Sequence, residues 1–361
     1  MPNWIDDTDA LNLALPRLGA RLCIDTEFMR TDSFLPKLAL IQIEVDGDAA
    51  LVDPTARIDI AALGTVFSDP ARLCVMHSAS EDLEALRPIA PAGIARLFDT
   101  QIAAAFAGLG PGLSYQKLVE QLTGVALLKA ETRSDWLKRP LTEEQIEYAA
   151  KDVTYLPTIH DQLRVKLDAR GYATWHAEDC SRLVDKARLD EIDQQPQRAL
   201  RAASDWSPDQ QALLRRLLLW RESRARSLDK PKPWILDDAR ALDFVARPPR
   251  DDSDLYERGK GLRAFRGPQR AEVLELLHQP IRDIEREFDS IPPAPTSQER
   301  KAISALKEIV VAKATELDIP DGLLCSRRHL EALWATRTWP AALEGWRREV
   351  LHDVLMARLP D

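Results

Sequence analysis

The chain has 361 residues, 45% of them apolar, and a net charge of −9. That length suits two or three domains with a sizeable core, and no apolar run is long enough to span a bilayer. Residues 1–195 hold 20 Lys/Arg against 31 Asp/Glu while the remainder holds 29 against 27, so the acidity, a poor match for a polyanion, lies in the first half. Four scattered cysteines, Cys23, Cys74, Cys180 and Cys325, form no Cys-x-x-Cys pair. They fit a reducing cytoplasm with neither a disulfide framework nor a zinc site. Residues 1–16 carry Asp6, Asp7 and Asp9 and no Lys or Arg before Arg17, a pattern expected of a cytoplasmic chain without a signal peptide.

In chain order, the first telling stretch is Arg21 to Arg30. The apolar run Leu22-Cys23-Ile24 is followed by two carboxylates two positions apart, Asp25 and Glu27. Strand side chains alternate faces, so both acids project from one face at the end of a buried strand. Carboxylates that close repel unless a cation sits between them. A divalent metal with oxygen ligands is one answer; a strand running out into an acidic loop is the other. Residues 38–45, 50–52, 73–76 and 97–99 also read as strands. Asp46-Gly47-Asp48 predicts an antiparallel hairpin. Helices over 79–86 and 100–107 alternate with the later strands, which predicts a mixed sheet with helices on its faces.

After the fourth strand comes His77-Ser-Ala-Ser-Glu81-Asp82-Leu-Glu84. Ser78 or Ser80 is placed to cap a helix, and acids in its first turn suit the helix dipole, a sufficient structural reason for them. His77 reads as a structural histidine. Gly110-Pro111-Gly112 is a breaker, and 114–122 a short helix. Residues 129–140 are polar and basic, with Lys129, Arg133, Lys138 and Arg139 around Trp136. Beside a metal site these cations hold a nucleic-acid backbone; otherwise they are a solvated loop, and Trp136 reads as its anchor in the core. Thr142-Glu-Glu-Gln145 is a capping box opening a helix to about residue 169, with a break at Pro157. On that helix Tyr148 and Asp152, four apart, share a face. They are either a buried tyrosine beside a surface acid or parts of a site. A pair of divalent cations clamping a phosphodiester needs about as many oxygen ligands as these four acids offer, and the Tyr148 phenol is able to orient water.

The order Asp-x-Glu, Asp, Tyr-x-x-x-Asp resembles the DEDD exonuclease superfamily in its tyrosine subgroup, and within it the ribonuclease D family. The wording agrees: Ile-Asp-Thr-Glu-Phe at 24–28, Phe-Asp-Thr-Gln at 98–101, Ser-Asp-Trp at 134–136, Arg-Pro-Leu at 139–141 and Tyr-Ala-Ala-Lys-Asp-Val-Thr-Tyr-Leu at 148–156. The sister subgroup has histidine five residues before the last aspartate, where this chain has Glu147. The resemblance covers residues 1–195 and implies an α/β ribonuclease-H-like exonuclease core. It implies that Asp25, Glu27, Asp82 and Asp152 hold two Mg²⁺ or Mn²⁺ ions and that Tyr148 positions the attacking water. The implied reaction is two-metal 3′→5′ exoribonuclease hydrolysis releasing 5′-mononucleotides. The implied substrates are transfer RNA precursors and other small structured RNAs with single-stranded 3′ ends. Phe28 and Met29 either wedge against the terminal base or belong to the core.

Gln194-Gln195-Pro196 marks the end of this first domain. Residues 205–285 resemble an HRDC domain, a small all-α module. Its cues are Trp220-Arg221, Leu236-Asp237-Asp238 and the basic, glycine-punctuated segment from Tyr256 to Arg270. A Pro-rich linker from Ile291 leads to a third unit, 295–361, read as a divergent second copy. Leu228-Asp-Lys-Pro231 answers Leu317-Asp-Ile-Pro320 at an offset of 89, Ile235 to Asp238 answers Leu323 to Ser326 at 88, and Trp346-Arg347 echoes Trp220-Arg221. The expected protein is a cytoplasmic monomer that binds RNA and no membrane. A DNA-directed proofreading-type exonuclease needs the same five residues. An inactive nucleic-acid scaffold would have lost one of the acids, and all are present.

Overall fold

A computed structural model describes residues 2–127, 134–189 and 192–359. The chain divides into two compact units. Met1–Met29, Pro36–Leu189 and Ser297–Asp361 make the first; Arg30–Leu35 and Asp190–Thr296 make the second.

The first unit carries six strands: β1 (Asn3–Ile5), β2 (Arg21–Met29), β3 (Lys37–Val45), β4 (Asp48–Val52), β5 (Leu73–Met76) and β6 (Leu97–Asp99). Their order is β1-β4-β3-β2-β5-β6. The pairs β2–β3 and β3–β4 are antiparallel and the other three parallel, which is the mixed sheet expected. The β3–β4 hairpin turns at Asp46 (φ 53°) and Gly47 (φ 90°), two left-handed residues whose twist matches the strands they join. β1 is new: three residues are too few to show a period. Successive residues of the central strands enter opposite cores. Cys23 and Leu40 lie in one buried cluster, Ile24 and Ile41 in the other.

β2 does not stop at Asp25. β3 stays paired with it to Met29, placing Asp25 opposite Gln42 and Glu27 opposite Leu40, with a bulge between Glu27 and Phe28. On its other side, β5 pairs only with Arg21–Cys23. The edge of β2 from Ile24 onward is therefore open to whatever follows β5. The helix Glu143–Thr154 opens with the expected capping box, Thr142 with Gln145, and packs over β2, β3 and β4. The break near Pro157 falls at Tyr155. The next helix, Leu156–Arg170, takes the proline in its first turn, where a missing N–H costs nothing.

The last segment packs with the nuclease core as part of the first unit, in contrast to the separate 295–361 domain expected. Trp346 stacks on Trp175 (4.6 Å between centroids), which stacks on Tyr172 (4.7 Å). Asp179, on the helix Ala173–Arg188, accepts from Trp346 Nε1 (3.0 Å) and from both terminal nitrogens of Arg347 (2.5 and 2.7 Å). Arg170 donates to the Asp318 carboxylate (2.8 Å), and the Tyr172 hydroxyl to the Leu317 carbonyl (2.8 Å).

The internal repeat is plain in the backbone. Pro208–Leu228, Lys232–Ile235 and Asp238–Ala246 correspond to Ser297–Leu317, Asp321–Leu324 and Arg327–Thr336. Each first helix has 21 residues and leads into a left-handed aspartate, Asp229 (φ 47°) or Asp318 (φ 50°). The two short helices end at Ile235 and Leu324, so the offset is 89 throughout, and the 88 read from the sequence was one residue out of register. Trp346-Arg347 is no echo of Trp220-Arg221. The first pair sits on the helix Trp346–Met356, the second on the opening helix of its copy.

In the second unit the arginines of the helix Pro208–Leu228 tie the unit together. Arg216 pairs with Glu285 (2.7 Å), Arg221 with Asp238 (2.6 Å), Arg224 with Glu272 (2.5 Å) and Arg226 with Glu222 (2.8 Å). The Arg216 guanidinium holds the Glu285 carboxyl down at about 2.

The Asp179–Arg347 pair is 8% and 12% exposed, whereas Arg348–Glu344 is nearly half exposed. Removing one partner of a buried pair strands the other charge. Asp179→Ala is therefore expected to cost about 3–5 kcal/mol in urea unfolding followed by tryptophan fluorescence, and Glu344→Ala no more than about 1 kcal/mol. Equal, small losses in both would show that Asp179 does not anchor the last helix.

Candidate active site

Asp25 and Glu27 project from the same face of β2, as the period of two requires. The helix Glu143–Thr154 crosses that face and presents Asp152. One carboxylate oxygen each from Asp25, Glu27 and Asp152 lies within 4.8 Å of the others. This is a hard, all-oxygen donor set of the kind that holds Mg²⁺ or Mn²⁺. Tyr148, one turn before Asp152 on the same helix face, brings its hydroxyl beside the Asp152 carboxylate, where it favours the charged form. Two of the three segments singled out in the sequence, β2 and the Asp152 helix, thus bring these four residues together.

Asp82 stands just outside that triad. Its helix, Ser80–Ala85, packs against β2, and the Thr26 hydroxyl donates to its Oδ1 at 2.5 Å. The edge of β2 left open by the short β5 is what makes room for it. The cap of that helix differs from expectation: its N-cap is Ala79, and neither Ser78 nor Ser80 caps it through a side chain. Asp99 serves the turn from another strand. Its buried carboxylate accepts from Ser78 N (3.3 Å), Ala79 N (2.8 Å), Gln101 N (2.8 Å) and Ile102 N (3.1 Å). One side chain at the end of β6 therefore fixes both the approach to Asp82 and the start of the helix Thr100–Phe106.

Two further residues were not found by sequence reasoning. The Tyr115 hydroxyl donates to the Lys151 carbonyl (3.1 Å) and accepts from Tyr155 N (3.3 Å), clasping the end of the Asp152 helix. Gln42 is fully buried directly opposite Asp25, and among the described residues its amide has no hydrogen-bond partner. Tyr115 is joined to the site only through tertiary contact, so no local motif announces it. A glutamine within the apolar run of β3 was the available signal for Gln42.

Burial and crowding raise every acid here. Burial comes first for Asp25, which is held well above the carboxylate range, with Asp152, Asp82 and Glu27 adding to it. Glu27 is pushed to about 9 by burial and then by Asp152 and Asp82. Burial lifts Asp152 to about 7 against the Tyr148 hydroxyl, which favours its charged form, and lifts Asp82 to about 6 against the Thr26 hydroxyl. The Tyr148 phenol is itself pushed upward by burial and by Asp152.

The expected RNA contacts fare unevenly. Lys129 and Arg133 lie outside the described residues. Lys138 is exposed. Arg139 is spent on structure: it donates to both oxygens of Asp53 (2.6 and 2.7 Å) and to the carbonyls of Ala39, Trp136 and Lys138. All five guanidinium donors are used, so Arg139 braces the sheet and has none for phosphate. Trp136 is 3% exposed and packs beside Tyr148 (6.1 Å), the anchor expected. Met29 packs on the core, while Phe28, re-aimed by the bulge, stays half-buried. His77 is structural: its nitrogens meet Thr100 Oγ1 (2.9 Å) and the Leu113 carbonyl (3.0 Å). In the basic segment of the second unit, Arg258, Lys260 and Arg270 pair with Asp243, Glu257 and Asp252. Tyr256 is half exposed between Lys260 and Arg270, and Arg263 lies over Trp234.

Comparison with known proteins gives a consistent picture. Residues 2–168 match a family described as 3′-5′ exonuclease, and residues 210–263 match the HRDC domain. Ribonuclease D of Xanthomonas oryzae pv. oryzae is 42% identical over 99% of both chains. Ribonuclease D of Acidiphilium cryptum is 32% identical over 98% of this chain and 91% of its own. Among solved structures, Escherichia coli RNase D, described as an exoribonuclease involved in structured RNA processing, superposes with a TM-score of 0.87. It is 29% identical and covers 99% of this chain and 98% of its own. No helix among the described residues is long and apolar enough to cross a membrane.

Acids whose folded pKa is raised bind more protons folded than unfolded, so their contribution to stability is complete below the unfolded carboxylate values and is lost as pH rises through the folded ones. In chelator, the melting temperature is expected to fall between about pH 4, the unfolded carboxylate value, and about pH 9, the folded value of Glu27, with Asp82 and Asp152 inside that window. Asp25→Asn should raise it and flatten the slope. A flat wild-type profile would mean that the acids do not repel one another.

Proposed function

Because the chain belongs to the ribonuclease D family, and is thus a 3′–5′ exonuclease, we propose that Asp25, Glu27, Asp82, Asp152 and Tyr148 hydrolyse the terminal phosphodiester of RNA and release 5′-mononucleotides. The observation that carries this reading is the meeting of three acids from β2 and a distant helix, with oxygens within 4.8 Å, beside a tyrosine hydroxyl. Two Mg²⁺ or Mn²⁺ ions bound by the four acids would supply positive charge to the attacking and leaving oxygens of an in-line displacement.

The residues themselves do the rest. Asp25 and Glu27, fixed on a strand, and Asp152, fixed on a capped helix, set the place of the scissile phosphate. Asp82, held by the Thr26 hydroxyl beside the triad, is the fourth acid of this reading. Tyr148, whose phenol burial pushes upward, stays protonated at neutral pH beside Asp152, and its hydroxyl offers lone pairs to the attacking water. It orients that water and does not act as its base. Half-buried Phe28 offers a face to the terminal base, and exposed Lys138 a cation to the backbone.

The substrates in this reading are transfer RNA precursors and other small structured RNAs with single-stranded 3′ ends. The HRDC unit adds affinity for the RNA body, with half-exposed Tyr256 and the Arg263–Trp234 pair as its aromatic and basic groups. The protein acts as a cytoplasmic monomer.

The test is digestion of a 3′-extended transfer RNA, with matched RNA and DNA oligonucleotides, with and without EDTA. RNA should shorten from its 3′ end to mononucleotides only when divalent metal is present, and DNA much more slowly. Asp25→Asn and Asp152→Asn should lose activity to background while keeping RNA affinity, and Tyr148→Phe should lose about 10²-fold in kcat. Normal digestion by either Asn variant sinks the assignment.

A further inference from the structure

Two of the four acids have a neutral hydroxyl beside them. Thr26 donates to Asp82 (2.5 Å), and the Tyr148 hydroxyl stands next to the Asp152 carboxylate. The other two acids face β3, where Leu40 lies opposite Glu27 and Gln42 opposite Asp25. Gln42 interrupts an otherwise apolar run, Leu38-Ala-Leu-Ile-Gln-Ile43.

Directly opposed residues of an antiparallel pair project from one face, with Cβ atoms roughly 5 Å apart. Gln42 therefore shares the face of Asp25 and, two residues along its own strand, that of Leu40. Leu40 belongs to the buried cluster that includes Ala149 and Val153 of the helix Glu143–Thr154. The same helix packs over β2 and β3 and presents Asp152. The Gln42 side chain is thus enclosed between sheet and helix, beside the carboxylates, with 0% exposure.

Inside that layer its amide is idle. Nε2 and Oε1 are both buried, and neither has a hydrogen-bond partner among the described residues. The other buried glutamines differ. Gln145 closes its capping box. Gln211 accepts from Ile291 N (2.8 Å) and donates to the Trp206 carbonyl (3.0 Å), and Gln197 donates to the Asp289 carbonyl (2.9 Å). A buried amide with neither end paired is costly and uncommon, and an apolar side chain of similar shape would remove the cost. What the amide supplies, and an apolar group does not, is a pair of N–H donors within reach of the Asp25 carboxylate. Carboxylates that ligate metals are themselves held by hydrogen bonds, and losing such a partner costs about 10–100-fold in metal affinity or activity.

We propose that Gln42 is a positioning residue for Asp25: in the metal-loaded protein its amide donates to one Asp25 oxygen and keeps the other turned toward the cation. Gln42 touches neither metal nor RNA and acts through Asp25. Loading then satisfies the amide in the same step that relieves the repulsion among the acids. This rests on the reading of the acids as metal ligands and adds what fixes one of them.

Calorimetric titration with Mn²⁺, and thermal melting in EDTA and in Mn²⁺, test it on the full chain as wild type, Gln42→Met, Gln42→Leu and Asp25→Asn. Methionine is close to glutamine in length and has no N–H to donate. In EDTA, Gln42→Met should melt at or above the wild-type temperature, because an unpaired amide is gone. Mn²⁺ should bind it about tenfold or more weakly, and should raise its melting temperature by less than it raises that of wild type. Should Met pack badly, Gln42→Leu carries the comparison. A melting temperature that falls in EDTA for both variants makes the residue structural and overturns the proposal. Loss of Mn²⁺ binding in Asp25→Asn with wild-type affinity in the Gln42 variant overturns this inference alone. Wild-type Mn²⁺ affinity in Asp25→Asn overturns the metal reading and this inference with it.

Discussion

Mutual repulsion among Asp25, Glu27 and Asp152 is the force against which the first unit is braced. Three acids with oxygens inside 4.8 Å, in partly desolvated surroundings, push apart and take up protons unless something holds them. Rigid backbone holds them. β2 is paired on the acidic stretch by β3, the Asp152 helix is pinned at its start by a capping box and at its end by Tyr115, and Asp99 moors the turn leading to Asp82. The tension is functional, because a divalent cation relieves it. A family that works with divalent metals stores binding energy for them in carboxylates that fit badly without them.

Much of this was legible in the residues. Alternation gave the common face of Asp25 and Glu27, helical spacing gave that of Tyr148 and Asp152, and the capping box gave the helix that carries them, because each is a local rule. What stayed hidden depends on contacts between distant segments. Asp99 caps its own helix in the structure, and nothing in its neighbourhood in the sequence shows that it also holds Ser78 and Ala79. Arg139 looked like a phosphate ligand because the carboxylate that claims it, Asp53, is 86 residues away. The extent of β2 depended on β3 remaining beside it past Ile24, where the continuous apolar run ends.

The same lesson applies to charge. The mildly basic second half suggested an arginine surface for nucleic acid, yet four of the five arginines of the helix Pro208–Leu228 are consumed in ion pairs within the unit, some of them nearly buried. Net charge counts residues and not their commitments. In a unit with few unclaimed cations, affinity for a polyanion falls to aromatic faces and a small number of free arginines, and such binding is less sensitive to salt than a broad basic patch.

The first unit is discontinuous: its final helices are encoded after the whole of the second unit. During synthesis, the face of the nuclease core around Phe106 and Trp175 emerges long before Trp346, the indole that packs on it. The HRDC unit, continuous but for six residues already made, is able to close first. A nascent chain thus carries an open aromatic surface for more than a hundred and fifty codons, and the enzyme core matures only when its C-terminal helices arrive. Ribosome stalling or premature stop anywhere in that interval yields a protein with Asp25, Glu27, Asp82 and Asp152 all present and a sticky, unsealed flank.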